Sequence, residues 1–224
     1  MREERKSGWG QKGFTLIEIL VVIGLISLLM VFLMPMLSSG QEAAKISQCK
    51  IIIQTAVSSA KEYMGQRRFG DYPPDDFKDP LKTFQVPADS VNPGIESFVA
   101  FLHRPDSRAE GFGDKDEWFC NTDKDKAEAP IGKLDRMEKV ELKDPWGNPM
   151  AYFHHRHYGQ DQTYRMGGDP DVPEGEEQTV QAWRTKEGRW LNARSFQLFS
   201  AGPDGVFNTS DDIGNFTTPD QENG

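Results

Sequence analysis

Asp204, Asp211 and Asp212 fall in one short stretch, "FSAGPDGVFNTSDDIGNF", where Gly202, Pro203 and Gly205 force turns. Carboxylates gathered in a turn suit a hard cation. Ca²⁺ takes six to eight oxygens, from carboxylates and backbone carbonyls. The spacing is not that of an EF-hand, so a solvated acidic turn stays open beside a cation loop. Asn121, Asp123 and Asp125 alternate like the opening of an EF-hand. Lys126 then stands where Gly is wanted and Gly132 where Glu is wanted, so the segment reads as a solvated loop. The acidic run Gly167 to Glu177 reads the same way. His154, His155 and His157 crowd one segment. On a strand, His155 and His157 share a face, and two imidazoles make an incomplete metal site. A polar sheet face is the plainer reading. The chain has no Gly-x-Ser-x-Gly, P-loop, His-Glu-x-x-His or Cys-x-x-Cys, and no nucleophile–base pair, so no enzymatic activity is expected.

Another carboxylate stands out for its surroundings. Glu18 lies in "QKGFTLIEILVVIGLISLLMVFLMPML", an apolar run of membrane length. An ionisable group at such a place costs on the order of 3 kcal/mol even on a lenient insertion scale. From Phe14 to Leu37 the helix would be ~36 Å long at ~1.5 Å per residue, enough to cross a bilayer core. Basic residues precede the run, which puts the N-terminus in the cytoplasm and the rest outside it. The net charge of −9 is carried by the segment after the run, and an acidic body argues against a nucleic-acid partner. The residues alone read as an uncleaved signal anchor followed by a polar body. Cys49 and Cys120 are too few for a disulfide framework and leave one bridge or two free thiols.

Beyond the anchor the apolar period becomes helical. Cys49, Ile52, Ile53, Ala56, Val57, Ala60, Tyr63 and Met64 form one stripe, and Gly65 is a stop signal. One helix is expected over about 15–64, with Pro35 and Gly40 as soft points. Residues 66–91 read as a Pro- and Asp-rich loop. Asn92 and Pro93 then open a short helix, with Ile95, Phe98, Val99 and Leu102 on one face. Residues 104–143 are charged and irregular. Strands are expected at 150–155, 178–183 and 190–199, the last two joined by a turn at Lys186-Glu187-Gly188. The fold class is α+β, a long N-terminal helix packed on a small antiparallel sheet.

Lys12-Gly13-Phe14-Thr15-Leu16-Ile17-Glu18 resembles the cleavage and methylation motif of type IV pilins and type II secretion pseudopilins. Asp144-Pro145-Trp146-Gly147-Asn148-Pro149 resembles the "DPWGNPY" signature of major pseudopilins, and "YPPD…GIESFVAFL" more loosely their segment after the long helix. "SAGPDG…DI" resembles their calcium loop. The resemblance implies a pilin-like chain: a leader at 1–13, a transmembrane helix segment at 14–37, an amphipathic helix at 38–65 and a periplasmic body at 66–224. A prepilin peptidase would cut between Gly13 and Phe14, and Phe14 would be N-methylated. The new Phe14 ammonium of one subunit would pair with Glu18 of the next, fixing register in a homopolymer. Trp146 would cover the sheet core. One Ca²⁺ would take side chains of Asp204, Asp211 and Asp212 and the carbonyls of Ser200 and Val206. Such a subunit sits in the inner membrane by one pass and joins a periplasmic filament together with the inner-membrane secretion machinery. The length of 104–143 leaves a minor pseudopilin or type IV pilin-like subunit open, as well as a membrane-anchored binding protein that never polymerises.

Overall fold

The computed structural model describes residues 14–79, 81, 84–88, 90–112, 115–167 and 175–219; over 32–39 it describes the helical backbone alone. The chain divides into two compact units, Met1–Ala43 and Ala44–Gly224. Helix α1 is Leu16–Gly65, close to the expected 15–64, and its backbone stays helical through the soft points at 35 and 40. In the first unit the side chains from Phe14 to Val31 are all exposed, Leu16 at 85%. Among the described residues no helix is long and apolar enough to cross a membrane. Positions 32–37 of the expected span lie outside the described side chains, as the expected leader 1–13 lies outside the described residues.

In the second unit the helical stripe does what its period implies. Cys49, Ile52, Ile53, Ala56, Ala60 and Tyr63 are buried, and Val57 packs half-buried beside them. They join one core with α2 (Pro93–Leu102) and the strands. Helix α2 was expected to bury one face, yet every residue from Gly94 to Leu102 is buried. It is enclosed because strands from several parts of the chain pack around it. Burying side chains such as Phe98 and Phe101 contributes about 1.5–3 kcal/mol each. Gly94 permits the enclosure: a Cβ there would lie 2.1 Å from the Tyr152 carbonyl oxygen.

The strands form three small antiparallel sheets. β1 (Phe119–Cys120) pairs with β2 (Glu141–Leu142), inside the segment that the sequence left irregular. β3 (Ala151–His154) pairs with β6 (Phe196–Ser200), which pairs with β7 (Ile213–Gly214). β4 (Gln162–Arg165) pairs with β5 (Glu177–Val180). The expected hairpin between 178–183 and 190–199 is therefore corrected. The turn at Lys186-Glu187-Gly188 exists, closed by Gly188 N–H to the Thr185 carbonyl, but only Arg184 and Trp190 bridge across it. Both edges of β6 are already paired, with β3 and β7. Phe98 and Tyr152 meet within this core with ring centroids 4.4 Å apart and planes tilted by 36°, and the Tyr152 hydroxyl donates to the Pro73 carbonyl at 2.6 Å. Both cysteines are free thiols.

Candidate functional sites

At the start of α1, the Thr15 hydroxyl accepts from the Glu18 N–H, and a Glu18 carboxylate oxygen accepts from the Thr15 N–H, both at 3.3 Å. This is a capping box, in which the Glu18 N–H also reaches the Thr15 carbonyl at 3.1 Å. Thr-x-x-Glu announces it in the sequence, where Glu18 was weighed only as a charge. Phe14 is 78% exposed beside it. Gly13 lies outside the described residues.

The two body stretches that resemble pseudopilins meet. The Asp144 carboxylate accepts from the N–H groups of Trp146 (2.9 Å) and Asn148 (3.0 Å), and Gly147 takes the positive φ of 94° that the turn requires. Its second oxygen accepts from the Ser200 hydroxyl at 2.6 Å, at the end of β6. Burial pushes the Asp144 carboxyl above its ordinary range, against these hydrogen bonds. Trp146 is half-buried on the core, with the Lys45 ammonium 6.0 Å from its ring.

The expected cation loop starts from that anchor. Asp204 and Asp211 converge on the Thr209 hydroxyl, which lies 3.2 Å from Asp204 Oδ2, 2.5 Å from Asp211 Oδ1 and 3.2 Å from the Val206 carbonyl oxygen. A hydroxyl has one proton to give. Three oxygens around it form a donor set that a cation would satisfy better, and to that extent the residues fit Ca²⁺. Ser200 and Asp212 stand apart from this group. The Ser200 side chain turns to Asp144, and its backbone pairs with Ile213. Asp212 is buried, accepting from the Trp183 indole N–H (2.8 Å) and the Asn208 N–H (3.0 Å). Burial pushes its carboxyl up to about 7 against those bonds. Burial also acts upward on Asp211, but hydrogen bonds from Thr209 and the Asp204 N–H outweigh it and hold that carboxyl low.

Sequence reasoning found only part of a second acidic group. Carboxylate oxygens of Glu96, Asp123 and Glu141 lie within 4.8 Å of one another. Glu96 comes from the enclosed helix α2, Glu141 from β2 and Asp123 from the loop after β1. Asn92 supports the group. It was expected to cap α2, but its side chain makes no cap bond and donates instead to Glu141 Oε1 at 2.6 Å. Burial and the neighbouring carboxylates Asp125, Asp123 and Glu141 push the Glu96 carboxyl up to about 11. Burial and Asp123 push Glu141 up to about 7. Asn121, Asp123 and Asp125 gave a visible signal through their spacing. Glu96 and Glu141 are remote in sequence and gave none.

The histidines sit differently from the expected strand face. His154 ends β3, while His155–His157 form a 3₁₀ turn. That turn brings Asp71 within 4.8 Å of His154 and His155, a third ligand atom that spacing could not reveal. Arg156 also pairs with Asp71, placing a competing cation on that carboxylate. The His155 Nδ1 faces the Ser195 carbonyl at 3.0 Å. Of the acidic run 167–177, residues 168–174 lie outside the described residues.

No curated protein and no solved structure matches the chain. The family model of the prokaryotic N-terminal methylation motif matches residues 10–34. That motif implies processing by a prepilin peptidase and assembly with other pilin-like subunits. With an α+β architecture of N-terminal helix and small antiparallel sheets, it supports a membrane-anchored, type IV pilin-like protein.

Proposed function

We propose that the chain is a structural subunit of a type II secretion pseudopilus. It is cut after Gly13, methylated at Phe14 and assembled as a homopolymer through its N-terminal helix, with the acidic body in the periplasm. The observation that carries the reading is the methylation motif at 10–34. Two features support it further. The apolar helix from Phe14 to Val31 exposes every side chain, and so large an apolar surface needs lipid or neighbouring helices to cover it. The "DPWGNP" turn and the loop after β6 are locked together through Asp144 and Ser200. The two short β-strands between α2 and that turn enlarge the body, which favours a minor pseudopilin as the second reading.

The decisive measurement is the N-terminal residue of the mature chain, made in cells that contain a prepilin peptidase. Mass spectrometry is expected to find N-methylated Phe14. An intact Met1 would return the chain to an uncleaved signal anchor, and with it to a membrane-bound protein that does not polymerise.

The proposal includes one Ca²⁺ in the loop after β6, held by the Asp204 and Asp211 carboxylates and the Val206 carbonyl. Ser200 and Asp212 fix the loop's two ends. Bound Ca²⁺ would tie the loop to the sheet and stabilise the body by mass action. Calorimetric titration with CaCl₂ is expected to show one fewer bound ion in the Asp211→Asn chain than in the parent. Equal stoichiometry and affinity would remove the loop from the list of Ca²⁺ sites.

A further inference from the structure

Glu96 is the anomaly of the body interior. Its side chain is fully buried, and neither carboxylate oxygen has a hydrogen-bond partner. A buried carboxylate without hydrogen bonds is strongly destabilising unless something else compensates it. Lys139, itself 4% exposed, approaches at 3.9 Å but sits closer to Asp125, at 2.6 Å. Carboxyl groups of Glu96, Asp123, Asp125 and Glu141 thus crowd beside the Lys139 ammonium. Burial and these neighbours favour the protonated Glu96 carboxyl, and a divalent cation binding there would displace that proton.

The geometry suits such an ion. Two ligands about 2.4 Å from one Ca²⁺ are at most about 4.8 Å apart. Carboxylate oxygens of Glu96, Asp123 and Glu141 all lie within 4.8 Å of one another. The loop that delivers Asp123 is already wound for the purpose. Asn121 Nδ2 donates to the Asp125 carbonyl at 2.9 Å, Asp125 N–H donates to Asp123 Oδ1, and Lys124 takes a φ of 62° between them. Asn121 Oδ1 is buried without a hydrogen-bond partner on the same loop. Glu141 is held from behind by Asn92 and by the Thr122 N–H and hydroxyl, which leaves lone pairs on its carboxylate for a cation. Every donor is oxygen, which selects a hard cation over zinc or copper.

We infer that Glu96, Asp123 and Glu141 bind a Ca²⁺ ion that clamps the 121–125 loop and β2 onto α2. The ion gives the segment between α2 and the "DPWGNP" turn a reason to be ordered. The site is separate from the loop after β6, and it does not depend on the pilin-like reading.

The test uses the full chain in detergent carrying Asp211→Asn, so that the other proposed site is disabled. Calorimetry with CaCl₂ is expected to find one bound ion. Thermal unfolding is expected to shift upward by about 5–10 °C between chelator and a hundredfold excess of Ca²⁺ over Kd. Adding Glu96→Gln should abolish both effects. Asp123→Asn, on the half-buried loop, should do the same, and it decides the matter if the Glu96 variant does not fold. A parent Asp211→Asn chain that shows no Ca²⁺ response would overturn the site. So would an undiminished response in Asp123→Asn, which would leave Lys139 as the cluster's own counter-ion.

Discussion

Replacing Arg104 by methionine is expected to destabilise the body by about 3–5 kcal/mol, a large part of the ~5–15 kcal/mol that holds a domain folded. Arg104 follows His103, the C-cap of α2, and its side chain is completely buried. Its guanidinium meets Asp79 through two parallel bonds, Nη1 to Oδ1 at 3.1 Å and Nη2 to Oδ2 at 3.3 Å. Nε and Nη2 also bind the Asp106 carboxylate. Three rings enclose the same plane: Phe69 at 4.8 Å, Phe84 at 5.4 Å and Phe101 at 5.6 Å. Removing the cation takes the Arg104 charge from the Asp79 carboxylate, 2% exposed, and the Leu81 and Phe84 N–H groups that also donate to that carboxylate do not replace it. Methionine fills much of the volume, so the loss reads as electrostatics rather than cavity. The double variant Arg104→Met/Asp79→Asn should recover part of the loss, because the buried negative charge goes together with the positive one. Urea unfolding of the three chains measures this. A single-variant loss under about 1 kcal/mol would mean that water reaches the pair and screens it.

How much of this could be read from the sequence depended on how local the cause was. The stripe from Cys49 to Tyr63 was legible because a period of 3.6 is a property of neighbours on one helix. Helix α2 was legible from Pro93 and its apolar residues. Its complete enclosure was not, since that follows from packing against β2, β3 and β4. The pairing of β4 with β5 was missed for a related reason. Gln162–Arg165 alternates buried and half-buried residues in a polar stretch, while the Lys186-Glu187-Gly188 turn advertised a nearer partner for 178–183. The turn formed, yet β6 went to the centre of another sheet, buried along its whole length. Asn92 carried a clear capping signal and was diverted by a stronger demand, because Glu141 is buried and needs its donor. The acid cluster was half legible. The alternation of Asn121, Asp123 and Asp125 was visible, but the residues that give it depth come from 96 and 141.

Glu18→Gln is the variant that separates two roles for one side chain, and it is expected to abolish filament assembly. In the isolated subunit Glu18 belongs to a capping box with Thr15. Glutamine keeps an oxygen that can accept from the Thr15 N–H, so the helix start should survive the change. Alanine loses only that reciprocal bond, while the Thr15 hydroxyl still accepts from the N–H of residue 18. Neither change touches the second unit, which begins at Ala44, so thermal unfolding of the body should match the parent in both. Cleavage after Gly13 should proceed in both. The charge is what both variants lose. In the proposed assembly, the Phe14 ammonium of a cleaved chain would take Glu18 of the neighbouring subunit as its counter-charge. Leaving it uncompensated costs on the order of 3 kcal/mol per subunit, about a hundredfold in each association step. Assembly is scored as the fraction of cleaved subunit recovered in sheared filaments from cells that carry the secretion machinery. Loss in both variants identifies Glu18 as the charge partner. Normal filaments from Glu18→Gln with loss in Glu18→Ala would reduce Glu18 to a helix cap and leave the Phe14 ammonium to find another acid.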